Sequence, residues 1–396
     1  MSSQLHAGRG TSPTVCIVQR RLTHYRVPLF EALRDELARR DIRLRVLVGQ
    51  GTPAEAMKKD AGELAWAEPL ATRYLAGGRL CWQPMHRHIR HADLVIVTQE
   101  NKLLQNHLLL VAPRRFRLAF WGHGANLQSG RPDGAKERFK RWTTCRADWW
   151  FAYTRLSADL VGAAGFSADR TTVLNNAIDT AQMQQQRRSV TPAELHALRD
   201  ALGFGPGPVG VFVGSLYSDK RLAFLLEAAA AIRAQVPDFQ LLIVGDGPDR
   251  GRVEAACAAQ PWVRWVGVKT GRDKVLHVAL AQLMLNPGLV GLGILDAFVC
   301  GTPMMTTDCG LHSPEIAYLD QGVNGLMTAN DVGAYAEACV RLLRDPVALD
   351  GLRAGCAASA DEYTVQNMAR RFAEGIDRAL ADAGDAKAGR EAHECH

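Results

Sequence analysis

Charged side chains set among glycines, at the ends of apolar runs, are where this sequence could do chemistry. The run 209–213 leads into Gly214-Ser215-Leu216-Tyr217-Ser218-Asp219-Lys220-Arg221. A small residue at such a turn lets a phosphate approach the backbone, and the helix that follows offers its free N–H groups. Lys220 and Arg221 add full positive charge there. Three more segments follow in order: Gly245-Asp246-Gly247-Pro248, then Asn286-Pro287-Gly288-Leu289-Val290-Gly291-Leu292-Gly293-Ile294-Leu295-Asp296-Ala297, then Pro314-Glu315-Ile316. In the first half, His24 and Arg26 follow the run 14–19, Glu100 follows the run 95–99, and Trp121-Gly122-His123-Gly124 closes another. Asp246 reads as a turn residue. Arg250 stands where a dinucleotide loop would need its third glycine, and no Walker loop is present, so nicotinamide, flavin and P-loop chemistry are disfavoured.

Taken in order and at these spacings, the four segments of the second half resemble the donor-binding half of GT-B glycosyltransferases, specifically the large retaining family 4. The resemblance covers about residues 209–346, and more loosely the whole chain. It implies a nucleoside-diphosphate sugar as co-substrate, no cofactor and no catalytic metal. By position, Lys220 matches the family's lysine on the donor diphosphate, and Asp296 matches the second glutamate of its Glu-x7-Glu motif, which holds the ribose. Gly214, Ser215, Arg221, Gly245, Gly288, Val290, Gly291, Leu292 and Glu315 are the other donor-side positions. Two depart from the pattern: the motif's first glutamate falls on Gly288, and the arginine usual after the strand glycine is Ser215. Restoring the acid, Gly288→Glu, is expected to alter sugar preference.

The run Pro287 to Leu292 is similar to a Pro-Gly-x-Val-Gly-Leu sub-group of bacterial polysaccharide enzymes, and segment 19–30 looks like the strand-to-helix entry of that sub-group. His123 falls where the family places a histidine near the anomeric centre, which makes it the catalytic companion of Lys220. His24, Arg26, Glu100 and His123 form the acceptor side. Segment 172–179 resembles the family's inter-domain Pro-Asn-Gly-Val-Asp, with Asn175 in place of proline. The implied reaction is transfer of a sugar to a hydroxyl of a saccharide acceptor, lipid-linked, in bacterial surface polysaccharide synthesis. Two other readings stand beside it. One is a GT-B epimerase or hydrolase acting on the nucleotide-sugar. The other is an inactive GT-B scaffold subunit, favoured by Gly288 and Ser215.

Elements that could position these residues recur along the chain as short apolar runs alternating with amphipathic stretches. The pattern predicts strands over 14–19, 43–49, 92–99, 117–121, 147–154 and 171–174, then over 209–214, 239–245, 263–268, 283–287 and 303–307. It predicts helices over 28–40, 223–234, 291–300 and 335–343. Near-continuous apolar strands alternating with helices mean parallel sheets covered on both faces. The expected fold is therefore α/β, with two facing Rossmann-like doubly wound domains and a ligand in the crevice between them. Boundaries are expected at 185/186 and 363/364, followed by a helix over 364–381 that crosses back to the first domain and a mobile tail over 382–396.

Composition narrows the rest. At about 150 residues per domain, 396 residues suit two or three domains. The nine cysteines are scattered without zinc or disulfide spacing. No apolar stretch reaches the roughly 20 residues of a membrane span; the longest, 275–295, is broken by His277, Gln282, Asn286, Pro287 and Gly288. Residues 1–13 lack the apolar core of a secretion signal, so a cytoplasmic protein is expected. The net charge of +6 conceals an asymmetry: residues 1–188 carry +13 and residues 189–396 carry −7. A basic half favours anionic partners. Lys136, Lys140 and Arg141, with Phe139 and Trp142, fall on a stretch that resembles an interfacial helix, and Arg114, Arg115 and Arg117 cluster just before it. This predicts docking on the inner face of the cytoplasmic membrane. Nucleic acid is not an expected partner, since the basic half lacks a recognition motif and interleaved aromatics.

Overall fold

The computed structural model describes residues 12–57, 60–124 and 142–393, with side chains as far as 382. Two compact units emerge: Met1–Ile178 together with Val365–His396, and Asp179–Thr364.

The first unit is built on strands β1 (Thr14–Gln19), β2 (Arg43–Val48), β3 (Glu68–Pro69), β6 (Leu94–Thr98), β7 (Arg117–Gly122), β8 (Trp149–Ala152) and β9 (Thr171–Val173). They form one sheet in the order β3-β2-β1-β6-β7-β8-β9. All its pairings are parallel. A small antiparallel hairpin, β4 (Arg73–Leu75) with β5 (Leu80–Trp82), lies apart from it. Val15, Cys16 and Ile17 of β1 are fully buried, as a strand sandwiched by helices on both faces must be. The helix Val365–His393 packs against the helix Val27–Ala38, where Arg40 pairs with Asp377 at 2.6 Å. Phe372 of that helix sits between Trp121 and Phe151.

The second unit carries β10 (Val209–Val213), β11 (Gln240–Val244), β12 (Val263–Trp265), β13 (Leu283–Leu285), β14 (Met304–Thr307) and β15 (Gly325–Thr328). Their order is β12-β11-β10-β13-β14-β15, again all parallel. Phe212, Leu241, Leu285 and Met305 of this sheet share one core with Leu225 and Ile232 of the helix Leu222–Gln235.

Each sheet grows outward in both directions from its first strand. Consecutive crossovers therefore leave opposite faces at one place, beside β1/β6 in the first unit and β10/β13 in the second. Doubly wound sheets bind ligands outside the carboxyl ends of such strands. The segments that follow β10 and β13 are the 214–221 turn and the 286–292 loop.

Three expectations need correction. The first boundary falls after Ile178 instead of at 185, because the helix Ala181–Arg188 packs on the helices Gly271–Ala279 and Gly293–Cys300 of the second unit. The tail expected to be mobile from 382 continues as helix to His393. Ala383, Ala386, Ala388 and Ala392, with Lys and Glu between them, are strong helix formers and outweigh Gly384 and Gly389. The strands β3, β4, β5 and β15 escaped the periodicity, since the first three have only two or three residues each. Among the described residues all eight cysteines are free.

Candidate functional site

Around the ends of β10 and β13, backbone meets backbone without side chains between. Gly214 donates to Val244 O at 3.0 Å and Leu216 to Asp246 O at 3.0 Å, which sews the 214–217 segment to Gly245-Asp246-Gly247. The approach is close enough that a Cβ on Gly245 would lie 1.9 Å from Gly214 O. Asp246 is a turn residue, its carboxylate accepting the Gly247 N–H at 2.8 Å.

The 218–221 turn is clamped to the 286–290 loop in the same way. Leu289 N donates to Asp219 O at 2.8 Å, and the Lys220 ammonium donates to Leu289 O. Arg221 lies at φ 56°, ψ 47°, a left-handed conformation that swings the chain from the 3-10 turn into the helix Leu222–Gln235. Its guanidinium reaches Pro287 O at 3.2 Å and Thr307 Oγ1 at 3.0 Å and covers the Phe224 ring. Arg221 thus fastens the loop, while Lys220 keeps two of its three N–H donors. Burial pushes the Lys220 pKa below its ordinary value. No side chain caps the helices starting at Leu222 and Gly293; at the second, Ile294 and Leu295 already donate to Gly291 O and Leu292 O, whereas the first N–H groups of the Leu222 helix are available to an anion. Ser215 is exposed beside them.

Gly288 has a steric role. A Cβ there would lie 2.2 Å from Asp219 O and 2.6 Å from the Lys220 carbonyl carbon. The expectation that Gly288→Glu would alter sugar preference is therefore corrected: any side chain at 288 collides with the turn bearing Lys220. Gly291 and Leu292 are looser, the Gly291 Cβ position lying 3.6 Å from Ser313 Oγ.

A residue that sequence reasoning missed holds the far side of this loop. His312 Nδ1 accepts the N–H of buried Val290 at 3.2 Å, and its Nε2–H donates to Thr307 O at 2.8 Å. That pairing requires the neutral ring. Burial, with Lys220 and Arg221 nearby, lowers the His312 pKa against the opposing pull of Thr307 O and Asp308. Ser313 N then donates to Val290 O at 2.9 Å, leading into the short 3-10 helix Pro314–Tyr318, where Glu315 is buried. All four sequence segments are thereby joined. Asp296 is buried as well, with Lys274 Nζ at 2.9 and 3.0 Å from its two oxygens. Lys274, on the helix Gly271–Ala279, was the second omission.

In the first unit, the exit of β1 is densely paired. Arg20 grips Glu55 through two 2.7 Å bonds and Tyr74 through one of 2.9 Å, and its Nε lies 3.5 Å from Glu100. Arg20 holds the Glu55 carboxyl well below its usual pKa. Glu100 also meets Lys102 at 3.1 Å, so it stands among ion-pair partners. His24 is exposed and bonded to the backbone of Asp60. Arg26 is buried, bonded to Asn176 Oδ1 at 2.9 Å and ringed by Tyr25, Trp121 and Tyr153. His123 is exposed at the end of β7 and makes an edge contact with Tyr153, ring centroids 4.4 Å apart. Asn175 adopts φ 54°, a conformation asparagine tolerates better than most residues.

Lys136, Lys140 and Arg141, with Phe139, lie outside the described residues. Of the preceding cluster, Arg114 pairs with Asp148 at 3.0 Å and Arg117 with Asp382 at 2.6 Å. Arg146 stacks 4.5 Å over half-exposed Trp142. Among the described residues, no helix is long and apolar enough to cross a membrane.

Comparison with known proteins meets this geometry from another direction. The family model described as glycosyl transferases group 1 matches residues 207–345, the part of the chain that contains all four segments. A 2-deoxystreptamine glucosyltransferase of Streptomyces kanamyceticus is 30% identical over 241 residues, 58% of this chain and 60% of its own length. A phosphatidyl-myo-inositol mannosyltransferase of Mycobacterium leprae is 28% identical over 163 residues, 40% of this chain and 43% of its own. The chain thus spans about half the length of these curated relatives. In three dimensions, the Anabaena protein HepE, solved in complex with UDP, superposes with a TM-score of 0.67 at 16% identity, covering 92% of this chain and 99% of that one. At that identity the likeness is one of fold. Residues 207–345 thus match the group 1 glycosyl transferase model, and the chain has the GT-B fold of two Rossmann-like units.

Proposed function

We propose that this protein is a retaining, metal-independent glycosyltransferase. It takes a sugar from a nucleoside-diphosphate donor held by the second unit and delivers it to a hydroxyl of a lipid-linked saccharide. Its setting is bacterial surface polysaccharide synthesis, as a peripheral protein on the inner face of the cytoplasmic membrane. The observation that carries this reading is the hydrogen-bonded clamp of the 218–221 turn on the 286–290 loop, inside the group 1 domain. It holds one half-buried ammonium beside the uncapped start of the helix Leu222–Gln235. The lipid-linked acceptor is supported by the name of the mannosyltransferase relative and by the +13 charge of residues 1–188.

The chemical burden is departure of the nucleoside diphosphate as positive charge develops at the anomeric carbon. Preorganised donors are effective here because they are oriented before charge moves. Burial lowers the Lys220 pKa in the free protein, and a diphosphate beside the ammonium offsets that shift by favouring its charge. Asp296 accepts the ribose hydroxyls, oriented by Lys274, while Glu315 and Ser215 border the donor. The family resemblance assigns His123 the role beside the anomeric centre, with His24, Arg26 and Glu100 serving the acceptor.

A thermal-shift screen against UDP-, GDP-, ADP- and dTDP-sugars tests the reading. The right donor stabilises the protein by about 2.7 kcal/mol at a hundredfold excess over its dissociation constant. Lys220→Ala then lowers turnover tens- to hundredfold, the equivalent of the roughly 1.5–3 kcal/mol of a charged hydrogen bond. Absence of any nucleotide-sugar response overturns the proposal. Product formed from donor without acceptor points to an epimerase or hydrolase instead.

A further inference from the structure

Six partly buried arginines of the first unit are each held by a carboxylate. Arg20 has Glu55, Arg21 has Asp60, Arg40 has Asp377, Arg45 has Glu68, Arg114 has Asp148 and Arg117 has Asp382. These side chains keep 11–29% of their surface in water. Arg26 is 7% exposed, and none of the described ion pairs includes it. Its guanidinium makes one side-chain hydrogen bond, to the neutral amide of Asn176, and is flanked by Tyr25, Trp121 and Tyr153 at 4.8–5.3 Å. Aromatic faces stabilise a cation through their quadrupoles, but they bring no negative charge. A buried cation without a counter-ion is costly, and breaking such a pair is what proteins avoid. The Trp121 indole Nε1 in the same cluster is buried without a hydrogen-bond partner, a second donor with unmet capacity.

The position of this cluster matters. Arg26 follows β1, Trp121 closes β7 and Tyr153 follows β8, so the rings and the guanidinium gather at the carboxyl ends of parallel strands, where exposed His123 also stands. We propose that Arg26 is an oxyanion receptor and that the acceptor saccharide carries the missing charge, as a phosphate or a uronate carboxylate within reach of the guanidinium. The planar fork of arginine pairs with either group through two parallel hydrogen bonds. Half-exposed Tyr25 offers a ring against the sugar. This inference rests on the glycosyltransferase reading and adds to it the chemical class of the acceptor.

Calorimetric titration of the full chain with glucose, glucose 6-phosphate and glucuronate tests it, using wild type, Arg26→Gln, Arg26→Lys and Lys220→Ala. At least one charged sugar is expected to bind wild type about ten- to a hundredfold more tightly than glucose. That preference should weaken as salt rises, vanish in Arg26→Gln and persist in Lys220→Ala. Which charged sugar wins distinguishes phosphate from carboxylate. Should Arg26→Gln fail to fold, Arg26→Lys serves: it keeps the charge but loses the fork, and a several-fold weaker preference is expected. Equal or undetectable binding of all three sugars by wild type overturns the inference. So does a preference that survives both Arg26 variants, or one lost in Lys220→Ala, which would place the anion on the nucleotide side. A nucleotide-sugar response that persists through those failures leaves the glycosyltransferase reading standing, whereas its absence removes that reading too.

Discussion

Replacing Gly288 by alanine isolates the steric role of that glycine. The added Cβ would sit 2.2 Å from Asp219 O, where real contacts stay beyond 3.0 Å, so the 218–221 turn must retreat by at least 0.8 Å. The obstacle is backbone on both sides and cannot swing aside. Retreat stretches the 2.8 Å bond from Leu289 N to Asp219 O and draws Lys220 from Leu289 O. Overpacking of this kind costs about 1–3 kcal/mol. For a unit of 150–250 residues each kcal/mol is worth roughly 2–4 °C in melting temperature, so a fall of about 2–12 °C is expected. Gly291→Ala is the control, since its Cβ would meet nothing nearer than 3.6 Å and should cost within about 0.5 kcal/mol. Differential scanning calorimetry gives the stability difference, and titration with the preferred nucleoside diphosphate reports whether Lys220 has moved. If Gly288→Ala melts with Gly291→Ala and binds nucleotide as wild type does, the clamp reasoning is refuted.

Three further outcomes can be checked. His312 must be neutral to accept from Val290, and its folded pKa lies below the ordinary 6.5, so its contribution is complete above about pH 6.5 and is lost as pH falls through the folded value. Urea unfolding should show wild type losing its advantage over His312→Gln between pH 7 and 5; a constant difference would contradict this. Lys274→Met strands the buried Asp296 carboxylate and should destabilise by about 3 kcal/mol, with most of the loss recovered in the Lys274→Met/Asp296→Asn double variant; equal loss in single and double variants rejects the pairing argument. On the metal-independent reading proposed above, turnover should survive EDTA, and a magnesium-reversible loss would contradict that reading.

Much of this architecture was legible because parallel strands announce themselves. Runs such as Val209–Val213 and residues 94–97 carry no polar side chain, and each is followed by a polar turn and a helical period. The donor-side segments were legible for a related reason: glycines and charges interrupt those runs where the chain leaves the sheet. What escaped was contact across long separations. His312 lies 22 residues from Val290, and Lys274 lies 22 from Asp296, with no periodicity linking either pair. Gly288 was visible but misread, because a missing carboxylate and a close backbone approach look the same in a sequence. Arg26 and Arg221 carried identical signals, a basic residue near a helix start. Only packing separates them, one fastened to Pro287 O and Thr307, the other enclosed by rings.

The clamp between Lys220 and Leu289 joins residues 69 apart, and between them lie β11, β12 and β13 with their connecting helices. Closing so long a loop carries an entropic penalty that is recovered only when the far contacts form. On the ribosome, the turn bearing Lys220 therefore emerges well before the segment that orients it. A nascent chain released short of Leu289 would carry the lysine and both glycines of the 245–247 turn, yet have no organised nucleotide site. For the proposed nucleotide site, competence would arrive abruptly, as β13 docks beside β10, which makes nucleotide capture a test of how far folding of the second unit has advanced.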